Sequence, residues 1–243
     1  MAQSSPLAKD LVSSIQSFIQ RHQMADLYKS YRWSLDAWES GFPYLLHLET
    51  TLSHAAKDNC LGLAHLRAVA EWGRLRNVKR VTCPEVLELG LYAPDGTVSV
   101  SVKNDPLRPL EILQAQTKGL GPTYVSKVLH FSLPAEYGAI DTRLVRVFGE
   151  GDPDATDQAW LKLYVRDYGY GWFIPAVQRY WPSEFATWIL ILKEIAGTLN
   201  AAGIACPHPS GFVERGLRRE GEWLCADVET ALWSYASQAL GYD

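Results

Sequence analysis

Apolar residues recur along most of the chain with a period of about 3.6 residues, which is typical of amphipathic helices. The first predicted helix lies within Leu7–Tyr31, where the apolar positions are Leu11, Ile15, Phe18 and Ile19. Further helices are predicted over Phe42–Ala56 and Leu61–Leu75, from Pro84 onward, from Pro109 onward, over Glu184–Leu199, and from Asp227, as the N-cap, to about Leu240.

One segment departs from this helical period. Pro94-Asp95-Gly96 is a turn sequence, and the residues Thr97–Val102 after it alternate, so we predict a short β-hairpin here. We see no internal repeat and no low-complexity linker, and a length of 243 residues suits one large domain or two closely packed lobes. The sequence therefore predicts a mostly α fold, with residues 1–243 forming a single unit.

The charge balance limits how the protein can bind its partners. The formal net charge is −4 and the sequence pI is about 5.9, which excludes a protein that coats nucleic acid through bulk positive charge. Positive charge is concentrated in Arg67–Arg80, which would form a basic stripe around Trp72 on a helix, although an ordinary solvated face has the same pattern. The sequence has no apolar run long enough for a membrane span and no secretion-signal pattern, so we expect a cytoplasmic protein.

The four cysteines are widely separated, at positions 60, 83, 206 and 225. Their spacing matches neither a zinc site nor an iron–sulfur cluster, and reduced structural thiols fit it better. Cys206-Pro207-His208 could begin a metal site, but the sequence offers no second ligand pair for it. We therefore expect no metal ligands and no iron–sulfur cluster.

The segment 109–150 carries the most specific pattern, because it reads as helix, glycine turn, helix, loop, aspartate and helix. Gly119 and Gly121 flank a tight turn, and Pro122 suits the first position of the following helix. Such a turn exposes backbone N–H groups and a helix N-terminus, which together suit a phosphate oxygen. On the second helix Lys127 lies one turn beyond the glycines, on the face predicted to point away from the core. Asp141 then occupies the N-cap position of the helical run Thr142–Phe148.

This arrangement resembles the helix-hairpin-helix, Gly/Pro-rich-loop, Asp superfamily of DNA glycosylases. The match covers about forty residues: Gly119-Leu120-Gly121, then Pro134–Gly138, then the run Ile140-Asp141-Thr142-Arg143-Leu144-Val145-Arg146. The chain length, the lysine on the second helix and the lack of a four-cysteine cluster are similar to the 8-oxoguanine DNA glycosylase branches. The resemblance implies two helical lobes with a cleft between them, and base flipping from double-stranded DNA.

The resemblance also implies roles for individual residues. Lys127 and Asp141 would be catalytic, with the neutral Lys127 amine attacking the sugar and Asp141 stabilising the charge that develops there. The pKa of the Lys127 amine would be lowered by burial or by a cationic neighbour, for which His130 and Lys118 are candidates. Backbone-binding residues would be Gly119, Gly121, Thr123 and Arg143. No cofactor is implied, apart from a possible monovalent cation at the hairpin.

One position departs from the family pattern. The nucleophilic lysine usually follows the second glycine by two residues, and that position here is Thr123. Lys127 lies on the same helix face, about 5.4 Å farther along. If Lys127 is not the nucleophile, Asp141 would activate water, and the enzyme would be monofunctional.

The target would be an oxidised purine such as 8-oxoguanine. Alternatives are another modified base, for example in foreign DNA, or a non-catalytic DNA clamp.

The remaining candidates are less certain from sequence. Arg143 and Arg146 fit either phosphate binding or an ordinary surface position, and His130 fits a structural role. The aromatic residues that could wedge into DNA or stack on a base cannot be ranked. They are Trp33, Trp38, Trp72, Trp172, Tyr170 and Trp181. We expect the protein to act as a monomer on double-stranded DNA, without a membrane.

Overall fold

The computed structural model describes residues 6–150, 157–169 and 171–242, and helices dominate in them, as the sequence pattern predicts. The helices are α1 (Lys9–Arg21), α2 (Met24–Lys29), α3 (Pro43–Lys57), α4 (Leu63–Trp72), α5 (Val100–Asn104), α6 (Arg108–Gln116), α7 (Pro122–Ser132), α8 (Thr142–Phe148), α9 (Ser183–Ala201), α10 (Ser210–Glu214) and α11 (Cys225–Ala239). None of the helices in these ranges combines the length and hydrophobicity that crossing a bilayer would require.

The strands in the described residues form two small antiparallel pairs. β1 (Arg32–Trp33) pairs with β2 (Asp36–Ala37), and β3 (Arg166–Asp167) pairs with β4 (Trp172–Phe173). Each pair forms a short ribbon that positions aromatic side chains, since Trp33 and Trp172 both lie on these strands. The prediction of a mostly α fold is confirmed.

The predicted helix from Pro84 is wrong. Residues 84–91 run without helix, and the side chains of Leu87, Leu89 and Leu91 are buried while the residues between them are exposed. A burial period of two is that of an extended chain, so this segment covers the core in an extended conformation. The Leu87 N–H donates to the Leu61 carbonyl at 2.8 Å, which replaces a helical hydrogen bond.

The predicted hairpin at Pro94-Asp95-Gly96 forms only in part. The turn closes through a hydrogen bond from Ala93 N–H to Thr97 O, and Tyr92 and Val98 form one antiparallel bridge. The predicted strand Thr97–Val102 does not follow, because Ser99 caps helix α5 by accepting a hydrogen bond from the Ser101 N–H.

Three other predicted boundaries move. The first predicted helix is divided into α1 and α2, and the basic segment Arg67–Arg80 leaves the helix after Trp72, so it turns a corner instead of forming one stripe. Asp227 is the third residue of α11 and not its N-cap; its carboxylate accepts the N–H of Leu224, the residue that does occupy the N-cap.

A contiguous apolar core joins residues from α1 through α11. Helix α11 packs against α2, α8 and α9, while α7 packs against α3, α4 and α6. Almost every side chain of α7 is buried as a result. Each large apolar side chain buried there, such as Leu129 or Phe131, stabilises the fold by about 1.5–3 kcal/mol. Such a helix is an energetically costly place for a lysine.

Candidate active site at the glycine turn

The glycine turn between α6 and α7 is fixed against the rest of the chain. Gly119 has a φ of +83°, and a Cβ there would lie 2.8 Å from the carbonyl oxygen of Arg80, so both conformation and space require glycine. Thr82 and Lys118 exchange backbone hydrogen bonds beside it, at 3.2 and 2.9 Å. Gly121 is different, because it is exposed and has open space around its Cα. The turn is therefore rigid at Gly119 and accessible at Gly121.

The turn also has carbonyl oxygens that a monovalent cation could use. The Lys118 carbonyl already accepts a hydrogen bond from Thr82, and the Gly121 carbonyl accepts from Tyr124 and Val125. Gly119 and Leu120 supply the remaining carbonyls of the turn. Two neutral oxygens are a sparse set of ligands for a monovalent cation.

Lys127 is buried, although the sequence pattern predicts that it faces solvent. Its side chain is only 8 % exposed and lies among aromatic rings, with Nζ 4.9 Å from the ring centroid of Trp72 and 5.8 Å from those of Trp33 and Tyr124. Within the described residues, Nζ makes no hydrogen bond and no ion pair. Burial lowers the pKa of Lys127, Arg143 lowers it further, and Asp141 and Glu229 oppose the shift. The predicted neighbours His130 and Lys118 are not the cations responsible.

Asp141 caps α8 as the sequence predicts. Its Oδ1 accepts the backbone N–H groups of Arg143 and Leu144, at 3.0 and 3.2 Å. Its Oδ2 accepts the indole N–H of Trp233 at 2.8 Å, a contact that joins α8 to α11. Backbone on one side and an indole on the other thus fix the orientation of the carboxylate.

Lys127 and Asp141 converge at the junction of two cavities. The inner recess and the outer groove share Trp33, Lys127 and Asp141 in their walls. The recess continues inward to residues of four helices and the β1 region, namely Tyr31, Leu45, Trp72, His130, Phe131, Ala139, Glu229, Thr230 and Trp233. It is narrow as it stands, so a large ligand would enter only if the aromatic side chains parted.

The outer groove brings the glycine turn to the same place. Gly121, Thr123 and Arg143 line it, and all three were predicted as backbone-binding residues. Gly119 is not in its wall and acts through the shape of the turn. The Arg143 guanidinium is held among aromatic rings, 4.4 Å from Trp233 and 4.5 Å from Tyr242, and donates to Ser237 Oγ at 3.1 Å. Arg143 is therefore more enclosed than a surface arginine.

The aromatic candidates now separate by position. Trp33 and Trp72 line the recess, and Trp172 lines the groove with Arg146 4.4 Å from its ring. The other two described candidates lie elsewhere: Trp38 donates to the Pro207 carbonyl, and Trp181 is buried in the core. Tyr170 lies outside the described residues.

A polar network behind the recess holds Trp72 in place. The Trp72 indole N–H donates to Asp36 Oδ2 at 2.9 Å, while Asp36 Oδ1 accepts the N–H groups of Tyr44 and Leu45 at the start of α3. The Trp33 indole N–H donates to the Trp72 carbonyl at 3.0 Å. Two of the rings around Lys127 are thus fixed by hydrogen bonds.

His130 is structural in character, in keeping with the sequence interpretation. Burial, with Arg218 and Lys127 as nearby cations, lowers its pKa to about 3, so the ring is neutral at physiological pH. Its Nδ1 accepts the Ala139 N–H at 3.3 Å, which helps to hold the loop before Asp141. Beyond it lies a buried ion cluster, in which Arg218 binds both Glu49 and Asp227.

Sequence reasoning missed Glu229 and Trp233, both on α11. They follow Asp141 by more than eighty residues, and no motif marks them. One signal was available: Glu229 is an acidic residue on the inner face of a helix that is otherwise mostly apolar and buried. A charged residue at such a position needs either a partner or a function.

Cys206, His208 and Asp227 also meet, with one potential ligand atom each inside a 4.8 Å radius of one another. The sequence did not reveal Asp227 as a third member. Both oxygens of Asp227 already accept from Arg218 Nε, at 2.9 and 3.1 Å, and His208 Nε2 lies 2.7 Å from the Glu222 carbonyl. Existing hydrogen bonds therefore explain this cluster as packing of the α10–α11 region.

Comparison with known proteins gives no relative: the chain matches no protein-family model, no curated protein and no solved structure.

Proposed function

We propose that this protein is a DNA glycosylase of the helix-hairpin-helix fold, with two lobes around a cleft, which excises an oxidised purine such as 8-oxoguanine and nicks the strand through Lys127. The observation that carries the proposal is the buried Lys127 amine, which has no hydrogen-bond acceptor among the described residues and lies at the same junction as the Asp141 carboxylate. A buried lysine with a lowered pKa costs stability, and nucleophilic catalysis is a function that repays it.

The chemistry follows from the two side chains. The lowered pKa leaves a larger neutral fraction of Lys127 at physiological pH, and only the neutral amine has the lone pair that attacks the sugar C1′. A bond forms between Nζ and C1′, the bond from C1′ to the base nitrogen breaks, and the base leaves with that electron pair. Positive charge develops on the sugar, and the fixed Asp141 carboxylate stabilises it. Ring opening gives a Schiff base, from which loss of a C2′ proton expels the 3′ phosphate.

The outer groove suits the DNA strand that presents the base. Gly121 leaves its backbone open at the groove, and the N-terminus of α7 begins there, which favours a phosphate oxygen. The basic corner Arg67–Arg80 adjoins the turn, since Gly119 packs against Arg80. This placement supplies local positive charge to a protein that is acidic overall.

One alternative has an observation in its favour. Thr123, at the family's usual lysine position, lines the outer groove together with Asp141. In a monofunctional enzyme Asp141 would activate a water there, and Lys127 would only assist electrostatically. A non-catalytic clamp is less consistent with the site, since gripping a backbone requires no buried lysine.

The deciding experiment is covalent trapping. Wild-type protein is incubated with duplexes that each carry one modified base, and borohydride is added to reduce any Schiff base. We expect a covalent adduct with an oxidised-purine duplex, which disappears in Lys127→Ala. The adduct should persist in Lys103→Ala, which removes an exposed α5 lysine that lines neither cavity. Base release without trapping would show the water route. The absence of both a covalent adduct and base release on every duplex would overturn the proposal.

A further inference from the structure

Glu229 faces the inner recess from α11 and is only 7 % exposed. It lines the recess with Lys127 and Asp141 but does not reach the outer groove. A side chain here would meet whatever enters the recess, not the DNA backbone. The catalytic chemistry proposed above gives Glu229 no role.

The surroundings of Glu229 offer its carboxyl group no hydrogen-bond donor within the described parts of the chain. The Nδ1 atom of His130 lies 3.4 Å from Oε2 of Glu229. That nitrogen is an acceptor, since the ring is neutral and Nδ1 already accepts the Ala139 N–H. An ionised Oε2 would face this acceptor nitrogen with no donor between them, and that repulsion is smaller for the neutral acid.

The charged groups around Glu229 act in the same direction. Burial raises its pKa well above the ordinary range, and the carboxylates of Asp141 on α8 and Glu49 on α3 raise it further. The positive charge of Lys127 on α7 opposes this rise in the pKa of Glu229. Burial lowers the pKa of Lys127 itself, which reduces the fraction of Lys127 that carries that charge. Burial, the two neighbouring carboxylates and the lack of a hydrogen-bond donor among the described residues therefore all favour the neutral carboxylic acid form of Glu229.

We propose that Glu229 is the specificity residue of the recess and that, as a neutral acid, it pairs with a base edge on which an N–H lies beside a carbonyl. A carboxylic acid presents one donor and one acceptor side by side, which complements such a lactam edge. A carboxylate presents two acceptors and would select two adjacent N–H groups instead. The aromatic walls formed by Trp33, Trp72 and Trp233 supply sequence-tolerant stacking, so the polar discrimination falls to the acid.

This inference rests on the proposed function and narrows its substrate class. Guanine presents two acceptors, N7 and O6, on its major-groove edge. Oxidation at C8 places a hydrogen on N7 beside the new C8 carbonyl, which creates a lactam edge. A neutral Glu229 pairs fully with that edge, whereas against the N7 edge of guanine its carbonyl oxygen has no donor. The discrimination applies to a base that enters with its N7 edge toward Glu229, because N1–H and O6 form the same lactam edge in both bases.

The test compares Glu229→Gln with Glu229→Leu. The glutamine amide keeps one donor and one acceptor at every pH, in nearly the same shape, while leucine removes both and fills the space. The probes are duplexes with a 2′-fluoro 8-oxoguanine nucleotide or its 2′-fluoro guanine counterpart, since fluorine disfavours positive charge on the sugar and prevents cleavage. Fluorescence anisotropy gives the ratio of the two affinities.

We expect the wild type and Glu229→Gln to prefer the 8-oxoguanine duplex by similar ratios, and Glu229→Leu to lose about tenfold or more of that preference. In the wild type the preference should also fall at high pH, as the acid loses its proton. In Glu229→Gln the ratio should stay constant over the same range. The pH series and the isosteric glutamine keep the test valid even if Glu229→Leu fails to fold.

Two outcomes would overturn the inference: a glutamine variant that loses the preference, which would show that a carboxylate is the working form, or a folded leucine variant that keeps it. Failure of the proposed function has a different signature. In that case the wild type would trap no lesion and bind both duplexes equally.

Discussion

Asp141 accepts three hydrogen bonds with its two carboxylate oxygens, and this limits what can replace it. Two come from the backbone at the start of α8 and one from the Trp233 indole. An asparagine has a single side-chain oxygen, so it can cap the helix or accept from Trp233, but not both. The charge and the local geometry therefore cannot be separated by a single substitution.

A double-mutant cycle resolves this. We expect Asp141→Asn to lower the free energy of unfolding by about 1–3 kcal/mol, because the buried Trp233 N–H loses its acceptor. In a Trp233→Phe background that donor is absent, so the same substitution should cost less. Urea denaturation of the four proteins measures the coupling. Strictly additive free energies would mean that the indole contact contributes nothing to stability.

At the scale of elements, the glycine turn joins α6 to α7 and connects them to the basic corner after α4. The two glycines have unequal roles. Gly119 is left-handed and confined by Arg80, while Gly121 has ordinary negative φ and open surroundings. Stability and accessibility are thus divided between two residues of one motif.

This division predicts different outcomes for a matched pair of substitutions. Gly119→Ala should lower the free energy of unfolding by about 1–3 kcal/mol, since the added methyl group meets backbone and the left-handed conformation becomes strained. Gly121→Ala should change stability little, and any effect should appear in DNA affinity. Thermal unfolding and anisotropy on the same duplex separate the two effects. Equal destabilisation would contradict the assigned roles.

The same elements show how far the sequence pattern could be read. The α6–turn–α7–Asp141 order and the N-cap of α8 were predicted because each depends on local propensity. The helix predicted from Pro84 failed because residues 84–91 bury alternate leucines, a pattern imposed by the core they cover. Glu229 and Trp233 were missed because their contacts with α7 and α8 join distant parts of the chain.

At the scale of the whole molecule, the proposed function requires an acidic protein to bind an acidic polymer. The net charge is −4, so any affinity for DNA depends on the local positive charge of the groove and the adjoining corner. Positive charge confined in this way releases counterions from a few phosphates rather than attracting DNA from all sides.

We therefore expect DNA affinity to weaken steeply with salt despite the acidic composition. Contact with three or four phosphates gives a slope of about −3 in a plot of log affinity against log salt concentration. Arg143→Met should make that slope shallower by about 1 if the guanidinium contacts a phosphate. Anisotropy titrations over a salt series measure both values. A flat response in the wild type would contradict phosphate binding at the turn.

The sequence by itself determined the helical class, the glycine turn and the capping aspartate, because periodicity, glycine and N-cap preferences act over a few neighbouring residues. Only the tertiary structure decided that Lys127 is buried, since this depends on α3, α4 and α6 closing around α7. It also brought Glu229 and the ring of tryptophans to the same recess. Solvation and electrostatics depend on what surrounds a group in space, and a one-dimensional pattern does not contain that neighbourhood.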